Sequence, residues 1–230
     1  MRDMIIDGKT VDIFKAKNAG APLVILNQYA RNNGAVCQKC RELGCPDFTL
    51  VEISGLDWNN ELSPWQAPAL GSDDSPFGGQ ADAYLGVLLE KILPAVRAEL
   101  DGEPSALLLA GYSLAGLFAL YAATKCDRFQ AVASCSGSMW FPDFKETIMK
   151  CDASALPDIC YFSLGDREAR TRNETLRTVE KDTEEIAAYL ASNGKKTVFE
   201  LNKGNHFQQN TLRIAKGIRW ILGQTTKSAA

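Results

Sequence analysis

The sequence holds a single histidine, His206, among its 230 residues, so any chemistry that needs an imidazole near neutral pH has one candidate. It also lacks an excess of basic residues. With 25 Lys and Arg against 28 Asp and Glu, the formal charge is −3, and no clustered cations offer the phosphate-binding face that nucleic acid requires. No run approaches the roughly 20 apolar residues of a membrane span. The start, Met1-Arg2-Asp3-Met4-Ile5-Ile6-Asp7, has no apolar signal-peptide core. These absences predict a cytoplasmic protein that engages neither nucleic acid nor membrane.

The seven cysteines are odd in number and dispersed, which fits reduced thiols better than a disulfide framework. Cys37, Cys40 and Cys45 form a C-x-x-C-x4-C pattern. Zinc would need a fourth ligand, and the one histidine is far away in sequence. On a helix from about Gly34 to Leu43, Cys37 and Cys40 share one face, so packed core thiols are expected rather than a metal or redox site.

What is present is enough apolar residue, 46%, to bury a sizeable core. One α/β domain over residues 1–223 is expected, with 224–230 a frayed tail. Met4–Ile6 and Lys9–Phe14 flank Asp7-Gly8 as a hairpin. Pro22–Leu26, Phe48–Ile53, Ala106–Ala110, Ala131–Cys135, Ile159–Leu164 and Thr197–Leu201 read as strands. Most are unbroken apolar runs, as in strands buried on both faces of a parallel sheet. Helical periodicity falls between them, around Cys37 and Cys40, over Ala81–Leu100 with a kink at Pro94, over Leu114–Lys125, over Glu174–Ser192, and after His206. The alternation predicts a doubly wound, mostly parallel sheet with helices on both faces and functional loops at the strands' carboxyl ends. Residues 54–80 carry Trp58, Trp65 and three prolines without a period, and are expected to pack over a cavity.

The chain is organised around Ala110-Gly111-Tyr112-Ser113-Leu114-Ala115-Gly116-Leu117, where a strand turns abruptly into a helix. Small residues at such a bend let the backbone lift one hydroxyl above the sheet. The pattern departs from G-x-S-x-G at Ala115, with Gly116 following directly. Ser113 is the candidate nucleophile and His206, in the loop after the last strand, the candidate base. Glu168, three residues past Gly165, is the preferred orienting acid, with Asp166 and Asp143 as alternatives. The order Ser, acid, His is the one that α/β-hydrolases use.

Four further stretches share a resemblance with this one. Glu61-Leu62-Ser63-Pro64-Trp65, Phe77-Gly78-Gly79-Gln80-Ala81-Asp82-Ala83-Tyr84-Leu85 and Gly111 to Tyr121 resemble the putative esterase family, which includes esterase D and enterochelin-esterase-like α/β-hydrolases. Ser134 to Trp140 is similar to its serine- and tryptophan-bearing loop, and Gly204-Asn205-His206-Phe207 to its histidine loop. The resemblance covers about residues 20–222. It implies an α/β-hydrolase fold and a serine esterase, with the nucleophile at Ser113 and the base at His206.

Such an enzyme would cleave a small-molecule ester or thioester through an acyl-enzyme, with no metal or organic cofactor. Its oxyanion donors are expected at the backbone N–H of Leu114 and at that of Gln28 or Tyr29. Trp65 and Trp140, with Tyr29, are candidates for the substrate pocket. An acyltransferase with the same triad, or a non-catalytic binding protein of the same fold, are the alternatives. The natural substrate and the oligomeric state are not legible in the sequence.

Overall fold

A computed structural model describes residues 2–228, apart from the side chains of 153 and 226–228. The chain begins with a hairpin, β1 (Arg2–Ile6) and β2 (Lys9–Phe14). Asp7 and Gly8 both have positive φ, 52° and 77°, as a two-residue turn matched to strand twist requires. Then come β3 (Leu23–Asn27), α1 (Ala35–Glu42), β4 (Thr49–Ser54) and α2 (Trp58–Glu61), followed by a two-stranded ribbon of β5 (Gln66–Ala67) and β6 (Phe77–Gly78). The helix over 81–97 is continuous but not uniform. Between α3 (Ala81–Val87) and α4 (Leu93–Arg97) lies a π-helical turn, Leu88–Ile92. Pro94 has no N–H to give to the preceding turn, and the wider turn beside it absorbs the kink predicted there.

The second half runs β7 (Leu107–Tyr112), α5 (Leu114–Lys125), β8 (Ala131–Cys135), α6 (Phe144–Lys150), β9 (Ile159–Gly165), α7 (Glu174–Arg177), α8 (Val179–Ser192), β10 (Lys196–Asn202) and α9 (Asn210–Ser228). The helix α9 includes 224–228, part of the stretch expected to fray. Residues 229 and 230 lie outside the described residues. None of the described helices is long and apolar enough to cross a membrane.

Eight strands form one sheet in the order β1-β2-β4-β3-β7-β8-β9-β10. Only the two pairings made by β2, with β1 and with β4, are antiparallel. Alternate side chains of each central strand go to opposite faces. Leu23, Ile25, Leu107 and Leu109 pack in the cluster with α3, α5, α6 and α8. Val24, Leu26, Leu108 and Ala110 pack in the other, with α1 and α9. This double burial explains the unbroken apolar runs. It also explains α5, where every residue from Leu114 to Ala123 is buried, so no polar face is left to give the helix an amphipathic signature.

From β3 the chain builds outward to β4, then crosses back to place β7 on the other side of β3. A crevice opens at the carboxyl ends of strands where the winding direction reverses. Ser113 stands at that point, one residue beyond β7.

Candidate active site

Ser113 has φ 58° and ψ −125°, a conformation that costs a non-glycine residue about 1–3 kcal/mol and persists only where surroundings enforce it. The enforcement is close packing. A Cβ on Gly111 would lie 2.1 Å from the Ala115 carbonyl oxygen, and one on Gly116 would lie 3.0 Å from the Gly137 Cα. A side chain at Gly111 therefore has no room and one at Gly116 would need its neighbours to give by a few tenths of an ångström, whereas Ala115 fits fully buried, so the departure from G-x-S-x-G leaves the bend intact. Ser113 N–H donates to the Cys135 carbonyl and its own carbonyl accepts from Gly116, Leu117 and Ser138.

The turn brings three of the predicted residues together. His206 Nε2 lies 3.0 Å from Ser113 Oγ, and Nδ1 lies 2.8 Å from Glu168 Oε2. Asp166, the alternative acid, is occupied elsewhere: its Oδ1 accepts from Gly204 N–H at 2.8 Å, which fastens the β9 loop to the loop that carries His206. Asp143, with φ 60°, stands before the first residue of α6, where its carbonyl accepts from the Thr147 hydroxyl at 2.7 Å. Proximity in sequence to the strand end did not decide which carboxylate reaches His206. The tight turn after Gly165 did, since Glu168 N–H bonds back to the Gly165 carbonyl and aims its side chain inward.

Glu168 has further partners that the sequence reading missed. Its Oε1 accepts from Gly165 N–H at 2.6 Å, Ser136 Oγ at 2.8 Å and Arg213 Nη1 at 2.7 Å. Arg213 is completely buried and Glu168 has only 4% of its side chain exposed. Burial alone would push this carboxyl up, but the hydrogen bond and charge of His206, with the Gly165 and Ser136 hydrogen bonds, outweigh it and hold Glu168 below its ordinary value. Tyr112 completes the frame, donating its hydroxyl to the His206 carbonyl at 2.6 Å and accepting from Arg213 at 3.3 Å. The available sequence signal was Arg213 itself, a cation on the helix stripe that includes Ile214, Ile218 and Ile221.

Of the two expected oxyanion donors after β3, Gln28 has its N–H already engaged. Its N–H bonds to the Ile53 carbonyl at 2.7 Å, because the parallel β3–β4 ladder runs one residue past the end of β3. Asn27 pairs with Gly111, so Tyr29 leaves the sheet level with Ser113, and its N–H has no partner among the described residues. Arg31 secures this loop with two bonds to Asp12, at 2.8 and 2.5 Å. Leu114 is the first residue of α5, where N–H groups lie outside the intrahelical ladder.

A cavity of about 440 Å³ opens over Ser113 and His206. Trp140, Leu70, Leu176, Val179 and Phe207 give it apolar walls, and Arg167 and Arg170 line it as cations. Trp65, predicted for the pocket, does not line it. Its Nε1 donates to the Pro142 carbonyl at 3.0 Å and its ring packs on Phe141, so it clamps the 54–80 segment onto the loop after β8. The Tyr29 ring is likewise outside the cavity, 76% exposed and edge-on to Trp58.

A sequence profile described as "Putative esterase" matches residues 26–210. The chain belongs to the putative esterase family. As a member it is an esterase-class hydrolase, and it has the α/β-hydrolase fold. This esterase is 25% identical over 187 residues to the uncharacterized protein YbbA of Bacillus subtilis (strain 168), a match that spans 78% of this chain and 75% of that one. Among solved structures it is similar to the siderophore hydrolase EstA of Aspergillus nidulans, with TM-score 0.74, 19% identity and coverage of 97% and 94% of the two chains. An IroE-like serine hydrolase from Shewanella oneidensis matches with TM-score 0.77 at 16% identity, over 94% of this chain and 76% of that one. The enterobactin esterase FES of Shigella flexneri matches with TM-score 0.71 at 19% identity, and this esterase spans 60% of it.

Proposed function

We propose that this esterase hydrolyses a small-molecule ester or thioester through an acyl-enzyme on Ser113. The observation that carries the reading is the unbroken chain of hydrogen bonds from Ser113 Oγ through His206 to Glu168. A neutral serine hydroxyl is a weak nucleophile. His206 Nε2 takes its proton as Oγ attacks the carboxyl carbon, and Glu168, accepting from Nδ1–H, fixes the tautomer and stabilises the imidazolium that forms. The oxyanion of the tetrahedral intermediate is held by the N–H groups of Leu114 and Tyr29, donors whose loss singly costs about 10²–10³ in rate. His206 then returns the proton to the departing alcohol or thiol. Water, activated by the same imidazole, releases the acid.

The cavity gives the substrate two features. Its apolar walls favour an aromatic or branched acyl or alcohol part, burying surface at about 25 cal/mol per Å². Arg167 and Arg170 favour an ester that also carries an anionic group. Siderophores, named for the Aspergillus nidulans hydrolase, and enterobactin, named for the Shigella flexneri esterase, therefore belong in the test panel beside simple aryl esters. The decisive experiment is labelling with a fluorophosphonate and hydrolysis of p-nitrophenyl acetate by wild type and by Ser113→Ala. Labelling at Ser113 and loss of both signals in the variant, with thermal stability kept, are expected. Hydrolysis that survives Ser113→Ala would overturn the assignment.

A further inference from the structure

The cysteine triplet takes no part in the chemistry above, yet the end of α1 gives two of its members a specific relation. Gly44, with φ 68°, terminates the helix in a Schellman motif: Gly44 N–H bonds to the Arg41 carbonyl and Cys45 N–H to the Cys40 carbonyl, each at 3.0 Å. That motif brings the side chains of its third-last helical residue and of the residue after the glycine into contact. Here those residues are Cys40 and Cys45. Cys40 is fully buried. Cys45 is half-buried and lines a second cavity, about 390 Å³, together with Lys15, Lys17 and Arg41. The one acid there, Asp47, is engaged by the N–H groups of Lys17 and Asn18.

We propose that Cys45 and Cys40 are a hydroperoxide-responsive dithiol, in which Cys45 is oxidised first and Cys40 resolves it into a reversible disulfide across the end of α1. The neighbouring Cys40 thiol, together with the charge of Arg219, outweighs burial and holds the Cys45 thiol below its ordinary value, which favours the nucleophilic thiolate. Cys45 sulfur attacks one peroxide oxygen. An S–O bond forms, the O–O bond breaks, and the other oxygen leaves as an alcohol, or as water from hydrogen peroxide, leaving a sulfenic acid. Cys40 sulfur then attacks Cys45 sulfur, the S–S bond forms, and the displaced hydroxide takes the Cys40 proton as water. Two thiols are oxidised by two electrons and one peroxide is reduced.

The test is peroxide treatment of the folded protein, followed by thiol counting after denaturation and by peptide mapping. Cleavage after Lys39 and Arg41 puts Cys37, Cys40 and Cys45 on separate peptides. Free thiols are expected to fall from seven to five, with the Cys40 and Cys45 peptides joined and the change reversed by dithiothreitol. Cys40→Ser should leave Cys45 as a dimedone-trappable sulfenic acid, and Cys45→Ser should protect Cys40. The proposal is overturned if all seven thiols survive the treatment, if other cysteines are joined, or if Cys40 oxidises in Cys45→Ser. Circular dichroism of each variant distinguishes these outcomes from misfolding.

Discussion

Replacing Glu168 by glutamine separates the roles of its two oxygens. The carbonyl of the introduced amide can still accept from Gly165, Ser136 and Arg213, so the shape of the site survives. Its NH₂, however, faces His206 Nδ1 and donates to it, which puts the ring proton on Nε2 and removes the acceptor for the Ser113 hydroxyl. An amide in the orienting position costs about 10⁴ in kcat, or about 5 kcal/mol of barrier. The same change leaves the Arg213 guanidinium without an anion. Because Arg213 is wholly buried and Glu168 only 4% exposed, solvent screens the pair little. Breaking such a pair costs about 3 kcal/mol at the low end of the usual range, which fits a case where one hydrogen bond to the guanidinium is kept. For a chain of this size that lowers Tm by about 6–12 °C.

The stability difference has a pH signature. The folded protein holds the Glu168 carboxyl below its ordinary 4.5, so ionisation favours the folded state. The wild-type advantage is complete above about pH 4.5 and is lost as pH falls through the lower, folded value. Calorimetry of both proteins from pH 7 to 3 should show the Tm gap closing on the acid side. A kcat within tenfold of wild type at saturating p-nitrophenyl acetate would refute the orienting role. A Tm gap that is absent at pH 7, or widens on acidification, would refute the buried pair.

Asp166→Asn, by contrast, should keep kcat within about threefold, because Asp166 braces a loop and touches no reacting group; a loss on the scale of Glu168→Gln would reverse the choice of acid. Gly111→Ala places a methyl 2.1 Å from a backbone oxygen, and urea unfolding should report a loss of about 3 kcal/mol; an unchanged midpoint would show that the bend can open. Arg170→Ala should lower kcat/KM for a carboxylate-bearing aryl ester about three- to fivefold, as a partly solvated ion pair of up to about 1 kcal/mol allows, and leave the neutral analogue unchanged. Equal effects on both esters would remove the anion preference.

The local features were legible because each rests on neighbouring residues. Apolar runs marked strands buried on both faces, Asp7-Gly8 marked its hairpin, and the small residues around Ser113 marked a bend at which Gly111 has no room for a side chain. The lone histidine and the chain order pointed to Ser113, Glu168 and His206 because parallel α/β winding delivers successive loops to one end of the sheet. What the sequence left open depends on residues far apart along the chain. Glu168 and Asp166 differ by two positions, and only the fold of the β9 loop against the His206 loop decides which carboxylate faces the imidazole. Gln28 and Tyr29 are adjacent, and only the register of β3 on β4 decides whose N–H is consumed. Trp65 and Trp140 look alike in sequence, but one clamps a loop and the other lines the cavity. Arg213 reads as an interruption in an amphipathic helix until Glu168, 45 residues earlier, supplies the charge that allows its burial. Sequence determined the strands of the eight-stranded sheet, the bend and the residue types of the site; tertiary structure decided their partners, since hydrogen bonding and burial are properties of neighbours in space.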